Sequence, residues 1–588
     1  MQNNMRSVAV IFGDHIPVRY LLRNSFSTIV ADKKFKEEIE AQNFIFIDVD
    51  SLVGPGSVHE AAALLEDLPR LTFNNGLRVC KSFVYEGYEL WWIHYNSLFY
   101  NFCMPYFRYI KLLEYLKTFK KIYVYKPAYK SLFTFYFKAY GCNFTIVNKT
   151  GFKKIFSFPI GLVLQSLITL LSLPLLVVLR RKVSVFIGDK FEKKRDYDFR
   201  MGFIYAELRQ RGIPFVEFVR SLESWKTVIK NFFIRRRPVV YSEGVAYIGR
   251  CLSTIFGGRS VSRYKLYESL ITGKEPEEKF RLYIATHHLI LAYDDVWAIR
   301  MMKFIVHITG IKVAFFTAAL ERNFHTVLGC KLNAVSTLGI LHGVSSRYAT
   351  PYDYMNGFDG EQRLSLDLYG VWSDWWKEKY IKESDTYRSE HLHVSGPMRP
   401  LVLEKELGQP SHSENKIPRV LFIAEQTAAF NEVMPYLNRL LVEKGIELTI
   451  KFRPFHDGFE TWLFDNYPDL LVKNNVRVVK GNMQDAIKNA DVVIGCHSTG
   501  VLEALLQLKI PIFIRTHKWG DYYDMVGSSY GKTFFAENPE ELIERIKNYK
   551  SVPKKIVSTL QEQYFGNPYK NGSSWVVERI ELLLKTKN

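Results

Sequence analysis

Short apolar runs that alternate with amphipathic stretches constrain the fold of this chain more than any other feature. The runs are rich in β-branched residues and form two series, one from 183 to 394 and one from 420 to 535. Such alternation predicts βαβ units, and therefore parallel sheets covered by helices. We expect strands at 183–187, 215–218, 239–241, 289–292, 313–316, 338–341, 368–371, 392–394, 420–423, 448–452, 476–479, 492–494, 512–514 and 532–535.

The two series divide the chain into domains. Residues 400–418 are polar and bounded by prolines, which predicts a linker. Ahead of the first series, residues 1–150 form a smaller α/β unit with strands at 8–12, 44–47 and 122–125. The predicted division is an N-terminal α/β domain at 1–150, an apolar segment at 151–182, and Rossmann-like domains at 183–405 and 406–588. Two such domains in succession face each other across a cleft at the carboxyl ends of their sheets, where ligands bind.

One segment interrupts the globular pattern. Residues 155–179 include no charged side chain, and their length is that of a membrane span. Basic residues stand at both ends, so the charge asymmetry of a simple crossing is missing. Pro159, Pro174 and several polar side chains also argue against a plain span. We predict a membrane-associated insertion, re-entrant or interfacial, with both flanks cytoplasmic; a buried core helix is the alternative.

The charge of the chain supports the membrane interpretation. Lys and Arg number 79 against 60 Asp and Glu, a net charge of +19, and 15% of the residues are aromatic. Eleven Lys and Arg lie between 107 and 154, with Glu114 as the only acid. Tyr109, Leu112, Leu113 and Leu116 have the spacing of one helix face. We therefore expect 107–182 to bind an anionic membrane surface; the alternative is the solvated face of a soluble domain.

Several classes of protein are not expected. Hydrophobic residues at 47% and charged residues at 24% exclude a disordered or fibrous chain. The six cysteines are too sparse for a disulfide framework and have no zinc-ligand spacing, so no metal is expected and a reducing compartment is the default. Export is not expected, because the apolar run at the N-terminus is too short for a signal peptide. Nucleic-acid binding is not expected, because the basic cluster adjoins an uncharged run instead of an RNA-binding motif.

The strongest chemical motif lies between 491 and 514. A buried strand ends at Gly495, and His497, Ser498, Thr499 and Gly500 turn into a helix. Free N–H groups, hydroxyls and the positive end of the helix dipole make such a turn a phosphate cradle. The alternative is that Ser498 or Thr499 only caps the helix, with Glu503 as an acid favoured in its first turn.

Other candidate residues follow the ends of other predicted strands. His342 is a candidate base, because a neutral imidazole there could take a proton from an acceptor hydroxyl. Asp189 and Glu243 are alternative bases, although a strand-end residue of this kind is more often a cap. Further strand-end residues are candidates for binding a donor nucleotide or its phosphate: Glu425, Arg453 and His456.

The order of these motifs resembles bacterial surface-polysaccharide glycosyltransferases of the GT-B fold. His342-Gly343, the strand 368–372 and 393–397 are similar to their "QHG", "vwG" and "vtGxPr" motifs, and 451–456 is similar to their K-x-HP loop. Residues 497–500, Glu503-Ala504 and 509–511 are similar to their "S-[ST]-x-x-x-E-A…g-k-P" signature. Capsule sialyl- and Kdo-transferases and CDP-glycerol glycerophosphotransferases share this layout. Leu341 stands where the family has Gln, and Asp457 where it has Pro.

The resemblance implies a function. His456, Ser498 and Thr499 would hold the nucleotide and phosphate of the donor, Glu503 would lie near the ribose, and His342 matches a proposed base. The expected activity is transfer of a sugar from a nucleotide-activated donor to a lipid-linked or polysaccharide acceptor, at the cytoplasmic face of a membrane, by a monotopic or peripheral enzyme without metal or cofactor. The alternatives are a sugar-nucleotide epimerase of the same fold and a non-catalytic membrane- or glycan-binding scaffold.

Overall fold

The structure is a computed structural model, and it describes residues 7–13, 21, 26–147, 152–189, 201–256, 260–316, 324–341, 343–349, 351–398, 417–425, 428–453, 458–473, 476–526, 530–567 and 569–586. Within these residues the chain forms three parallel sheets, one after another along the sequence. The buried apolar runs form the strands, and the amphipathic stretches between them cover the sheets.

The N-terminal sheet has five parallel strands in the order β3-β2-β1-β6-β7, beside a short antiparallel hairpin of β4 and β5. Its strands are β1 (Ser7–Ile11), β2 (Thr28–Ala31), β3 (Ile45–Asp48), β4 (Val84–Tyr85), β5 (Tyr88–Glu89), β6 (Lys121–Tyr125) and β7 (Phe144–Val147). Its α-helices are Lys36–Glu40, Val58–Asp67, Tyr95–Leu98, Met104–Leu116 and Lys130–Ala139.

The middle sheet has seven parallel strands in the order β10-β9-β8-β11-β12-β13-β14. These are β8 (Val183–Gly188), β9 (Phe215–Arg220), β10 (Val239–Tyr241), β11 (Val313–Phe316), β12 (Ser336–Ile340), β13 (Leu368–Val371) and β14 (Leu392–Val394). The α-helices are Phe152–Leu179, Gly202–Gln210, Trp225–Arg235, Ser242–Phe256, Ser260–Ile271, Pro276–Thr309, Phe324–Lys331 and Asp374–Glu383.

The third sheet has six parallel strands in the order β17-β16-β15-β18-β19-β20. These are β15 (Arg419–Ile423), β16 (Glu447–Lys451), β17 (Arg477–Val479), β18 (Val492–Gly495), β19 (Ile510–Ile514) and β20 (Phe535–Ala536). The α-helices are Phe430–Val442, Gly458–Asn466, Leu470–Lys473, Met483–Lys488, Thr499–Leu502, Gly531–Phe534, Pro539–Lys547, Lys554–Phe565 and Gly572–Thr586.

In all three sheets the strand order reverses beside the first strand: successive strands are added on one side of it and later strands on the other. This is the doubly wound Rossmann-like topology. The predicted fold class is therefore confirmed: the chain is α/β, with two Rossmann-like domains, an additional N-terminal α/β domain and one long apolar helix. In such sheets the crevice for ligands lies at the reversal point, which is between β15 and β18 in the third domain and between β8 and β11 in the middle domain.

Two predicted strands are wrong. Residues 289–292 lie inside the 34-residue helix Pro276–Thr309, and most of 532–535 lies in the helix Gly531–Phe534, ahead of β20. Both were inferred from short apolar runs, which occur equally in buried helices and buried strands. Strands β2, β4, β5 and β7 were not predicted.

The domain division differs from the prediction at the C-terminus. The helix Gly572–Thr586 falls within 406–588, yet its buried residues Trp575, Val577 and Ile580 share an apolar core with β8 and β12 of the middle domain. The last helix therefore returns to the middle domain after the third domain is complete.

The basic segment at 107–147 belongs to the N-terminal domain, which corrects part of the membrane prediction. The helix face formed by Tyr109, Leu112, Leu113 and Leu116 is buried in the core of that domain. The rest of the segment supplies β6, the helix Lys130–Ala139 and β7. The apolar face is thus covered by protein and not available to a membrane, while membrane binding by the lysines of this segment stays a prediction.

Candidate functional site: the cleft between the second and third sheets

The loops that follow β12 and β18 meet in the cleft between the middle and third domains. The backbone N–H of Val344 donates a hydrogen bond to Thr499 Oγ1 at 3.4 Å. Three residues earlier, Leu341 is fixed by a hydrogen bond from its N–H to the carbonyl of Gly370 at 2.7 Å. His342 lies outside the described residues, and its position stays a prediction; the described contact to the Ser498–Thr499 turn is that of Val344.

The turn after β18 holds a carboxylate of the chain itself. Glu425, directly after β15, is buried, and its Oε1 accepts the N–H groups of Cys496, His497 and Ser498 at 3.0, 3.2 and 2.9 Å. Gly495 allows this approach, because a Cβ there would lie 2.8 Å from Oε1. The sequence predicted that Glu425 touches a donor; the structure places it in the anion cradle formed by these N–H groups.

Electrostatics explains why this buried carboxylate stays ionised. Burial raises the pKa of Glu425, but the His497 ring and the N–H donors outweigh burial and hold the pKa below its usual 4.5. His497 Nδ1 is paired with Glu425 Oε2. Three N–H donors and an imidazole therefore replace the water that a free carboxylate would bind.

The remaining residues of the turn have local hydrogen bonds. Ser498 is the N-cap of the helix Thr499–Leu502, and its Oγ accepts the N–H of Gly500 at 3.1 Å. Glu503 accepts a hydrogen bond from Gln484 Nε2 at 2.8 Å. The capping role weighed for Ser498 is thus present in the structure, and the donor-binding roles of Ser498, Thr499, Gly500 and Glu503 stay predictions.

Aromatic side chains that the sequence analysis missed surround the turn. The His497 ring stacks on Trp519 with centroids 3.9 Å apart, and Tyr522 packs against both rings. The N-terminal domain also reaches this point, since His59 Nε2 lies 3.1 Å from the carbonyl oxygen of Trp519. The signal available in the sequence was the density of aromatic and basic residues at 515–523, directly after β19.

The loop after β16 is described only in part. Arg453 is exposed at the carboxyl end of β16, and His456 lies outside the described residues. Lys451 is buried and donates hydrogen bonds to the carbonyls of Phe452 and Gly481, at 3.1 and 2.9 Å. Lys451 therefore fastens the neighbouring loop, while Arg453 and His456 stay predicted contacts to a donor.

Asp189 is enclosed in a buried ionic network at the end of β8. Its Oδ2 accepts a hydrogen bond from Ser221 Oγ at 2.7 Å, and its Oδ1 lies 3.1 Å from Arg235 Nη2. The side chains of Asp189 and Arg235 are 1% and 0% exposed. Burial raises the pKa of Asp189, and Arg235 opposes this rise. This geometry is that of a structural ion pair, so Asp189 is the weaker of the two alternative bases.

Glu243 is the stronger alternative. Its Oε2 accepts the N–H of Ser221 at 3.0 Å, and its Oε1 lies 3.4 Å from Arg220 Nε. Burial raises the pKa of Glu243 to about 7, a value that suits a general base near neutrality. Glu243 follows the edge strand β10, three strands away from β11, so its distance from the reversal point counts against it.

One group of metal-ligand types occurs among the described residues: the donor atoms of Glu425, Cys496 and His497 lie within 4.8 Å of one another. Burial, reinforced by Glu425, raises the pKa of Cys496 well above its usual value, which disfavours the thiolate that a metal requires. Glu425 already accepts three N–H groups. The group therefore works as a hydrogen-bonded core of the turn.

The second and third domains together have a two-domain Rossmann-like architecture consistent with the GT-B type. No family model matches the chain, and no curated protein matches it. Among solved structures the chain is similar to a glycosyltransferase from Rickettsia africae ESF-5, with 10% identity, a TM-score of 0.38, and coverage of 68% of this chain and 97% of that one.

Two further similar structures are a UDP-GlcNAc 2-epimerase from Neisseria meningitidis bound to UDP-GlcNAc and Anabaena HepE in complex with UDP. The first has 12% identity, a TM-score of 0.38, and coverage of 68% of this chain and 99% of that one. The second has 11% identity, a TM-score of 0.36, and coverage of 69% and 100%.

Proposed function

We propose that this protein is a glycosyltransferase that moves a sugar from a nucleotide-activated donor to a lipid-linked or polysaccharide acceptor in cell-surface glycan synthesis. The observation that carries the proposal is the contact between Val344 and Thr499. The His342-Gly343 segment and the His497–Gly500 turn resemble two separate motifs of one enzyme family; Val344 directly follows the first, and Thr499 belongs to the second.

In the proposed reaction His342 takes the proton of the acceptor hydroxyl as the new glycosidic bond forms. Ser498, Thr499, Arg453 and His456 stabilise the nucleotide that leaves with the electrons of the broken sugar–phosphate bond. Basic side chains and hydroxyls stabilise the negative charge of the leaving phosphate in a glycosyl-transfer site that has no metal ion. Glu243 is the alternative base.

A nucleotide screen tests donor binding. Thermal unfolding of the full chain is measured with CMP, CDP, UDP and GDP. The nucleotides with one particular nucleobase are expected to raise the midpoint temperature of unfolding, because a ligand at a hundred times its Kd stabilises a protein by about 2.7 kcal/mol. Replacing Ser498 and Thr499 together by Ala should weaken that shift. The matched control replaces Ser558 and Thr559, an exposed Ser-Thr pair on the helix Lys554–Phe565, by Ala.

Turnover then separates the candidate functions. A transferase releases nucleotide only with an acceptor, whereas an epimerase converts the sugar nucleotide alone and a scaffold binds none. His342→Ala should lower transfer by about 10²- to 10⁴-fold with nucleotide binding kept. Undiminished turnover in His342→Ala and in the Ser498 and Thr499 double variant would show that the site is wrongly assigned.

A further inference from the structure

The long apolar helix has its polar side toward the protein. Four polar residues of Phe152–Leu179 are buried: Gln165, Ser166, Thr169 and Ser172. Over 160–179, where the side chains are described, the exposed positions are apolar, and most of them recur along one stripe: Ile160, Val163, Leu167, Leu170, Leu171, Leu175 and Val178. Leu171 and Val178 are 79% and 78% exposed. A helix on the surface of a protein in water ordinarily has the opposite arrangement.

The buried polar side chains bind the edge of the middle sheet. β10 is the edge strand, and its outward N–H groups at Tyr241 and Val239 donate to Thr169 Oγ1 at 2.9 Å and to Ser172 Oγ at 3.4 Å. Ser166 Oγ donates to the carbonyl of Gly244 at 2.9 Å. A Cβ at Gly244 would lie 2.7 Å from the backbone nitrogen of Ser166, so the two helices are in close backbone contact.

These contacts fix the orientation of the helix relative to the middle sheet. It covers the edge strand along its length and continues directly into β8 at Val183. A helix that crossed a bilayer in this position would carry β10 and its loops into the hydrocarbon, where exposed loop backbone does not occur. The outward stripe can therefore meet a bilayer only with the helix lying along its surface.

The charges around the stripe indicate which surface it meets. Residues 152–182 and 224–242 include no Asp or Glu. Exposed cations stand at the end of the helix, at Arg180, and on the adjacent helix Trp225–Arg235, at Lys226 and Lys230. That neighbour also exposes Phe233, by 68%. An apolar stripe with basic borders complements an anionic lipid surface.

A second copy of the chain fits this face less well. Lys153 and Lys154 precede the apolar run and Arg180, Arg181 and Lys182 follow it. Parallel or antiparallel pairing of two such helices would bring cations against cations. We propose that the exposed face of Phe152–Leu179 is a docking surface for an anionic bilayer, with the helix parallel to the membrane plane. This docking does not depend on what the cleft catalyses.

Vesicle flotation of the full chain tests the proposal. The protein should float with phosphatidylcholine vesicles that include phosphatidylglycerol. Replacing both Leu171 and Val178 by Gln should lower vesicle binding by about tenfold or more, because two side chains lose their burial in lipid. Replacing Lys226 and Lys230 by Gln should lower it by about fivefold per residue.

The matched control is Val472→Gln in the third domain, because Val472 is 83% exposed; its binding should equal that of the unchanged protein. Equal flotation of the Leu171 and Val178 double variant would overturn the proposal. So would a dimer that fails to float and that the double variant converts to a monomer in sedimentation, which would assign the face to a second copy.

Measurements of depth in the bilayer test whether the helix lies parallel to the membrane plane. Single cysteines at Ile160, Leu167 and Leu175 are labelled with a fluorophore in a Cys251→Ser background, because Cys251 is the exposed cysteine of the six. Lipids brominated at different depths should quench all three labels alike. A gradient of depth along the helix would show an inserted or crossing helix and would refute the parallel placement.

Discussion

Glu425 places a carboxylate at the position where the sequence predicted a phosphate. The carboxylate and its three N–H donors are about seventy residues apart in the chain, with His497 completing the group. A phosphate in the same cradle must therefore bind beside Glu425 through side-chain donors, or bind after Glu425 has moved. The turn itself was predictable from a buried strand followed by small and hydroxyl residues, but its occupant was not, because no local pattern reports a contact across two strands.

Glu243 gives a prediction about pH. The raised pKa of about 7, against the usual 4.5, means that the folded protein binds this proton more tightly than the unfolded chain. The stabilisation is complete below about pH 4.5 and is lost as the pH rises to about 7. It amounts to about 3 kcal/mol.

Glu243→Gln should remove this dependence, since Gln does not titrate. Urea unfolding at intervals between pH 4.5 and 8 should show the unchanged protein losing stability relative to the variant as the pH rises. Glu562→Gln, on the exposed side of the helix Lys554–Phe565, is the control and should follow the unchanged protein. Parallel curves for Glu243→Gln and the unchanged protein would mean that Glu243 has an ordinary pKa.

Among the elements, the helix Phe152–Leu179 shows how a pattern can be identified and its orientation missed. Its length, its lack of charge and its apolar character were all visible in the sequence. The polar residues Gln165, Ser166, Thr169 and Ser172 argued there against a membrane span, and in the structure they are the residues that bind the protein. The sequence could not reveal their partners, because the edge strand β10 is about seventy residues further along the chain.

Because the polar side chains of the helix Phe152–Leu179 face the protein, we expect the loss of a polar side chain to destabilise it more than the loss of an exposed apolar one. Thr169→Val keeps the shape of the side chain but leaves the Tyr241 N–H without its acceptor, so the free energy of unfolding should fall by about 1–3 kcal/mol. The reverse change at an exposed position, Val178→Thr, should alter it by less than about 0.5 kcal/mol. Denaturant unfolding of the two variants checks this, and equal effects would contradict the hydrogen bond to the sheet edge.

Strand prediction succeeded where tertiary packing agrees with the local pattern. The central strands β8, β11, β15 and β18 are buried on both sides, so their sequences are nearly continuous apolar runs. The run 289–292 is just as apolar, and Leu289, Ile290 and Ala292 are buried, but the run lies within a helix that other elements pack against. Its correct assignment depends on residues far along the chain, which a short window does not include.

At the scale of the whole molecule, hydrogen bonds between domains join the N-terminal domain to both of the other domains. The N-terminal domain hydrogen-bonds the third domain through Val58 N–H and the Lys518 carbonyl, at 2.9 Å. It also bonds the middle domain, where Trp91 Nε1 donates to the carbonyl of Ala285 at 2.9 Å. The N-terminal domain is thus a structural part of the cleft, a role that its own sequence pattern did not indicate.

The return of the last helix gives a prediction at this scale. Val577 is fully buried against the middle domain, so Val577→Asp places an unpaired charge in the core of a domain whose sheet ends at residue 394. Stability should fall by more than about 3 kcal/mol. Limited proteolysis should then cut within 183–394. Leu582→Asp, at a half-exposed position on the same helix, is the control and should leave the cleavage pattern unchanged.

The double passage of the chain between the second and third domains has a mechanical consequence. The chain crosses once between β14 and β15, and it crosses back along Lys554–Phe565, where Trp376 Nε1 donates to the Tyr564 carbonyl at 2.8 Å. The return crossing is anchored to the middle domain by this hydrogen bond, so a rigid-body movement that keeps the contact is a rotation about an axis close to it. Such a rotation changes the width of the cleft far from the axis and leaves it constant close to the axis. The two domains would then open about a hinge instead of moving apart uniformly.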